Sequence, residues 1–269
     1  MLRCRLYVRL IVYGLIDYKE VEMYGWRSQI GFIVPTNNTV IEPEMYSIVP
    51  EGVSFHFTKV IFKDTTRDGR NKDAGGEAAE ALHRGHVNVI AYACMATSLV
   101  DAPNWERETT EQFGVPAVAA ATALKEALRA VGAHNIALVC HYPQERLPLV
   151  KESFKNDGFN VVSAETADIS DQREVNRIPT EKVYELARKA NTSEADAICL
   201  LATDLRTFPI LQQLEDDLGK PVVSNNQSLL WKALRLADIK AEIPGHGSLL
   251  AGDYAKWTSG RNLQTASAD

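Results

Sequence analysis

Val87-Asn-Val-Ile-Ala-Tyr-Ala-Cys94 and Ala197-Ile-Cys-Leu-Leu-Ala-Thr203 are the two stretches on which the reading of this chain turns. Each is an apolar run that ends in small and polar residues, and each reads as a strand. Around them the chain nearly repeats itself. Ile30-Gly-Phe-Ile-Val34 and Ile136-Ala-Leu-Val139 stand upstream. Phe113-Gly-Val-Pro-Ala-Val118 and Leu218-Gly-Lys-Pro-Val-Val223 stand downstream, each followed by a helical run. Self-similarity over about a hundred residues implies two related α/β halves packed face to face, with a site where the strand ends converge. Only the first half offers a thiol there: its strand runs into Cys94-Met-Ala-Thr-Ser-Leu99, the other into Leu200-Leu-Ala-Thr-Asp-Leu205.

Strand signals fall at 30–34, 53–60, 87–93, 116–120, 136–140, 160–163, 196–202 and 221–224. Helical patterns lie between them, from Gly76 to His83, Trp105 to Phe113, Thr122 to Val131, Glu145 to Asn156, Thr180 to Ala190, Leu205 to Leu218 and Leu229 to Ala237. This alternation predicts mainly parallel sheets built from right-handed crossovers. Residues 27–118, rejoined by 233–260, are expected to form the first domain and 119–232 the second. Residues 1–26 read as an extension and 261–269 as a frayed polar tail.

The 269 residues, 45% apolar, suffice for one large core or two modest ones. A net charge of −6 argues against nucleic acid or an anionic membrane as partner. The four cysteines Cys4, Cys94, Cys140 and Cys199 form no C-x-x-C, and His83 and His86 have no evident co-ligands, so a structural zinc is not expected. Leu6 to Ile16 is too short to span a bilayer and is followed by no cleavage site. Arg3, Arg5 and Arg9 alternate with apolar residues as in a strand, while Met23 reads as the simpler translation start. Reduced thiols in a cytoplasm are the expectation.

In open parallel sheets ligands bind beyond the carboxyl ends of the strands. Here those segments are Pro35-Thr-Asn-Asn-Thr39, Cys94-Met-Ala-Thr-Ser98, His141-Tyr142, Ala202-Thr-Asp204 and Ser224-Asn-Asn-Gln227. Hydroxyls and helix-start amides of this kind suit a small dianion, or an enediolate developing from a carboxylate. No G-x-G-x-x-G or P-loop supports a nucleotide cofactor.

Each candidate also has a plainer reading. Thr97 and Ser98 could cap a helix, Asn38 and Thr39 could make a turn, and Asp204 could cap a helix beginning at Leu205. Cys140 and Cys199 read as core thiols, and His141 as a packing or surface residue despite its pKa range. Lys63 to Lys72 reads as a solvated loop that covers the cleft.

Together these residues resemble the aspartate/glutamate racemase superfamily, in its branch of maleate cis-trans isomerases and arylmalonate decarboxylases. The similarity runs from about Gly25 to Leu250. It is carried by Ile30-Gly-Phe-Ile-Val-Pro-Thr-Asn-Asn-Thr39 with Glu42, by Pro50-Glu-Gly-Val53, and by Ala91-Tyr-Ala-Cys-Met-Ala-Thr-Ser98. Tyr142, Thr203-Asp-Leu-Arg-Thr207, Gly219-Lys-Pro-Val-Val-Ser224, Asn226-Gln227 and Gly245-His-Gly247 extend it. The resemblance implies two pseudo-symmetric α/β domains, cysteine chemistry in the interdomain cleft, neither metal nor organic cofactor, and a homo-oligomer. Cys94 and Tyr142 take the catalytic positions; Asn38, Thr39, Thr97, Ser98, Thr203, Asp204 and Asn226 take the substrate-binding ones.

Two departures limit the chemistry. The family's second-half cysteine position is Ala202 here. Matching Ala96-Thr-Ser-Leu99 to Ala202-Thr-Asp-Leu205 also puts Ala96, not Cys94, at the first-half position. Racemisation by two opposed thiols is therefore disfavoured. Three one-cysteine chemistries survive: isomerisation of a double bond through a thiolate adduct, decarboxylation with protonation by Cys94, and hydrolysis of an amide or ring carbonyl with His141 as base. Isomerisation of a maleate-like dicarboxylate is the leading expectation, decarboxylation or hydrolysis of a related compound the alternative. Binding of a small acid without turnover is a third. An enzyme using Cys94 is expected to hold its thiol pKa well below the free value of about 8.5.

Overall fold

The computed structural model describes residues 24–61 and 72–258. The strand reading of the first residues, the Met23 start, Cys4, the cleft-covering loop after Lys63 and the polar tail lie outside the described residues. In the first half, β1 (Ser28–Pro35), β2 (Val53–Val60), β3 (Val89–Tyr92) and β4 (Ala117–Ala119) form a sheet of order β2-β1-β3-β4. In the second, β5 (Asn135–Cys140), β6 (Asn160–Thr166), β7 (Ala197–Leu201) and β8 (Val222–Ser224) take the corresponding order β6-β5-β7-β8. Every pairing is parallel. β3 and β7 carry only buried residues, as strands covered on both faces must.

The covering helices are α1 (Ile41–Ser47), α2 (Lys72–Arg84), α3 (Met95–Phe113), α4 (Ala120–Ala130), α5 (Leu147–Asn156), α6 (Gln172–Val175), α7 (Thr180–Ala190), α8 (Leu211–Leu218), α9 (Asn225–Leu236) and α10 (Ser248–Ala251). α3 and α8 both end on a left-handed glycine, Gly114 (φ 68°) and Gly219 (φ 63°), which stops the helix one step before the next edge strand. This is the structural content of the repeated Gly-x-Pro signature. α4 lies along α9 and joins the halves. One buried cluster runs from Val89 and Ala91 of the first sheet through Leu229 and Leu230 of α9 to Ile198 and Leu200 of the second. Burying one such aliphatic side chain is worth about 1.5–3 kcal/mol, so the shared core couples the halves.

All eight expected strands are present, with ends that differ by a residue or a few. The helix starts differ more. α3 begins at Met95, ten residues before the apolar pattern does, and it kinks at Asp101 (φ −150°, ψ 32°) ahead of Pro103. Proline lacks the amide and crowds the preceding turn, which hides the first segment from a periodicity reading. α9 begins at Asn225 because Ser224 and Gln227 close a capping box, so a segment read as loop is a helical turn. No α-helix begins at Leu205: a 3-10 turn at Phe208–Ile210 precedes α8. Beyond α9 the chain is anchored by Glu215 of α8, which accepts from the Ser248 amide (2.7 Å) and hydroxyl (2.8 Å). Among the described residues no helix is long and apolar enough to cross a membrane.

Candidate active site

In each sheet the chain order reverses between the two central strands, β1 and β3 or β5 and β7, and a crevice opens beyond such a switch point. The segments there are 36–40 and 93–98 from the first half, 141–143 and 202–204 from the second. Cross-contacts show that they meet: the Thr203 hydroxyl donates to the Ala93 carbonyl at 3.1 Å.

The backbone decides how the halves correspond. The Asn88 amide donates to Gln29 O at 2.7 Å, as the Asp196 amide does to Asn135 O at 2.7 Å. The Ile90 amide donates to Pro116 O (2.9 Å), as the Ile198 amide does to Pro221 O (3.0 Å). Both pairs carry Cys94 onto Ala202. The match of Ala96 to Ala202 suggested by sequence is therefore corrected. The Thr-Ser and Thr-Asp letters coincide, but the strands are out of step by two residues. Ala96 is exposed, while Cys94 is buried at the cleft.

Cys94 is the N-cap of α3, with extended backbone (φ −132°, ψ 108°). Its sulfur lies by the amides of Ala96 and Thr97 at the first helical turn, without a capping hydrogen bond to either. The Thr97 hydroxyl donates to Tyr92 Oη at 2.8 Å, and both side chains stand beside the sulfur. Tyr92 lies two residues before Cys94, on the same strand face, and its ring packs on Trp105 (5.0 Å). Burial nevertheless pushes the Cys94 thiol up, and the nearby Asp204 carboxylate adds to the rise; the donors offset only part. The thiol pKa is raised, not depressed as expected for an enzyme using Cys94: burial first, and the Asp204 carboxylate after it, leave the resting group a protonated thiol.

The second half supplies Tyr142, His141 and Asp204. Tyr142 is buried, and burial, Cys94 and Asp204 all hold its hydroxyl protonated. The His141 ring packs on Tyr142 at 4.4 Å and its Nδ1 stands 3.9 Å from Asp204 Oδ1. Burial, helped by Arg146, lowers the imidazole pKa to about 4, so it is neutral at pH 7. Burial raises the Asp204 carboxyl to about 6. With no helix at Leu205, Asp204 is not a cap. Cys140 and Cys199 are core thiols of one buried cluster.

The remaining expected site residues also have partners within the protein. Asn38 Oδ1 accepts from the amides of Val40 (3.0 Å) and Ile41 (3.1 Å), starting α1. Its Nδ2 points to Thr203. The Ser98 hydroxyl donates to Met95 O (3.1 Å) and accepts from the Ala121 amide (3.1 Å), fastening α3 to α4. Thr39 is exposed, and its amide is held by Asn176 Oδ1 at 3.3 Å. Asn226 Nδ2 donates to Thr203 O (3.0 Å) and Glu44 Oε2 (2.7 Å). Glu44, which the sequence reading passed over, also accepts from the amides of Thr207 (2.5 Å) and Phe208 (2.9 Å). It plugs the start of the second half's 3-10 turn. Tyr92 was passed over too, although its i, i+2 relation to Cys94 was open to inspection.

The sequence model of the arylmalonate decarboxylase family matches residues 30–250, covering both sheets and every residue of the cleft. The chain belongs to that family. The resemblance drawn from the sequence is thereby borne out. The chain is 30% identical over 246 residues to a maleate isomerase of Geobacillus stearothermophilus, spanning 84% of this chain and 98% of that one. Identity to the arylmalonate decarboxylase of Bordetella bronchiseptica is 28% over 206 residues, 76% of this chain and 81% of the other. Among solved structures, a cysteine-to-serine variant of the Nocardia farcinica maleate cis-trans isomerase with a covalently bound succinylcysteine intermediate superimposes with a TM-score of 0.75. It is 27% identical and covers 84% of this chain and 99% of that one. A cysteine-to-alanine variant of the maleate isomerase from Pseudomonas putida S16, with maleate, gives 0.76 at 25% identity, covering 84% and 98%.

Proposed function

We propose that this protein is a cofactor-independent cis-trans isomerase of a maleate-like dicarboxylate, acting through an adduct on Cys94. The observation that carries the reading is the setting of that sulfur: at the N-cap position of a helix, near two backbone amides and a tyrosine hydroxyl, in the cleft between the sheets. These donors stabilise a thiolate as it forms. Addition makes a carbon–sulfur bond and sends the double-bond electrons onto the far carboxylate as an enediolate. The carbon–carbon bond, now single, rotates, and elimination releases the trans isomer. Tyr142, kept protonated by its surroundings, donates to the charge that develops. The relatives' maleate isomerase activity supports this substrate class.

Decarboxylation of a malonate-like acid is the second reading, and one observation favours it: a thiol kept protonated by burial can protonate an enediolate once carbon dioxide has left. A cytoplasmic homo-oligomer is the expected setting, and light scattering tests the assembly. Proton NMR with maleate in deuterated buffer separates the two reactions. Fumarate formed by wild type and not by Cys94→Ala supports isomerisation; no fumarate, with turnover of arylmalonates, assigns decarboxylation.

A further inference from the structure

We propose that Asp204, positioned by His141, takes the proton from Cys94 and returns it, serving from the second half, where Ala202 stands at the position that matches Cys94. The inference rests on the reading of Cys94 as nucleophile and names its missing partner. Asp204 follows Thr203, whose hydroxyl donates to the Ala93 carbonyl beside Cys94 at 3.1 Å, and its side chain is 13% exposed. Its charge acts on both Cys94 and Tyr142. His141 Nδ1 is buried, has no hydrogen-bond partner, and faces this carboxyl at 3.9 Å.

An unpartnered buried nitrogen costs about 1–3 kcal/mol, and Asp204 can satisfy it in either protonation state. The ionised carboxylate accepts from an Nδ1–H tautomer; the protonated carboxyl donates to a bare Nδ1. The gap is too long for a hydrogen bond and must close by about 1 Å for one to form. The other groups facing this pair are Cys94 and Tyr92 from the first half, and Tyr142, Cys140 and Arg146 from the second. Of these only Arg146 is a cation, and it adds to the burial that keeps His141 neutral.

The cycle balances without an outside reactant. At rest Cys94 holds its proton and Asp204 is ionised. As the carbon–sulfur bond forms, the thiol proton moves to Asp204. After rotation the carbon–sulfur bond breaks, the double bond reforms, and Asp204 gives the proton back.

The experiment measures alkylation of Cys94 by iodoacetamide against pH, followed on the Cys94 peptide by mass spectrometry, in wild type, Asp204→Asn and His141→Asn. It needs no substrate. Ionisation of Asp204 raises the thiol pKa, so the wild-type rate should show a shelf near pH 6; the shelf should vanish in Asp204→Asn and shift in His141→Asn. At pH 7, Asp204→Asn should be alkylated as fast as wild type or faster, yet lose roughly 10²–10⁴-fold in maleate turnover. No shelf, or undiminished turnover in Asp204→Asn, overturns the proposal. A shelf in a protein that leaves maleate unchanged upholds the proton coupling and removes only the maleate reading.

Discussion

Asn38 and Thr203 join the two halves at the floor of the cleft: Asn38 Nδ2 donates to the Thr203 carbonyl at 3.0 Å and approaches its hydroxyl at 3.2 Å. The same carboxamide starts α1 through its oxygen, so one buried side chain sets the first-half loop and the second-half loop together. Asn38→Ala strands these partners. We expect it to lower the urea-unfolding free energy by about 2 kcal/mol or more, with no change in helix content by circular dichroism.

Cys94→Ser nearly keeps the size of the side chain, and serine is favoured at the N-cap position that Cys94 occupies. Folding should therefore be unchanged within about 0.5 kcal/mol. Turnover should fall by roughly three orders of magnitude or more, because an alcohol is a far poorer nucleophile than a thiol at neutral pH. Steady-state kinetics beside thermal unfolding separates the two effects.

Tyr92→Phe removes the hydroxyl that accepts from Thr97 beside the sulfur and leaves the packing on Trp105. A hydrogen bond to a charged group is worth about 1.5–3 kcal/mol. The variant should lose roughly tenfold or more in kcat/KM, and its Cys94 thiol should titrate at higher pH in an alkylation assay.

Glu44 makes the stability of the fold depend on pH. Burial raises its carboxyl from 4.5 to about 7, against three donors and Arg206. A carboxyl with a raised folded value binds more protons in the folded state. Its contribution to stability is full below about 4.5 and is lost as pH rises through 7. Urea titrations of Glu44→Gln and wild type between these limits should therefore show the difference moving in favour of the variant as pH increases.

The sheet strands were legible because a strand buried on both faces needs an unbroken apolar run, and Val89–Tyr92 and Ala197–Leu201 supply one each. The first turn of α3 was not. Its residues serve the sulfur and the kink rather than an apolar face, so they carry no helical period. The identity of the cleft loops was legible from their polar residues, but their division of labour was not. Hydroxyl and amide side chains look alike in sequence whether they cap, bridge or bind. Asn38, Ser98 and Thr203 each hold two loops together, whatever else they bind, and the sulfur's own neighbours are Tyr92, Thr97 and Asp204. The two-residue slip between Ala96 and Cys94 had the same origin: letters aligned where backbones did not.

The central claim is that Cys94 forms a carbon–sulfur bond with the substrate. Acid quenching of the protein during turnover of maleate, followed by peptide mass spectrometry, tests it directly. We predict the mass of one maleic acid added to the peptide bearing Cys94, and absent from Cys94→Ser. An adduct on Cys140 instead, or fumarate produced by Cys94→Ser at the wild-type rate, would contradict it.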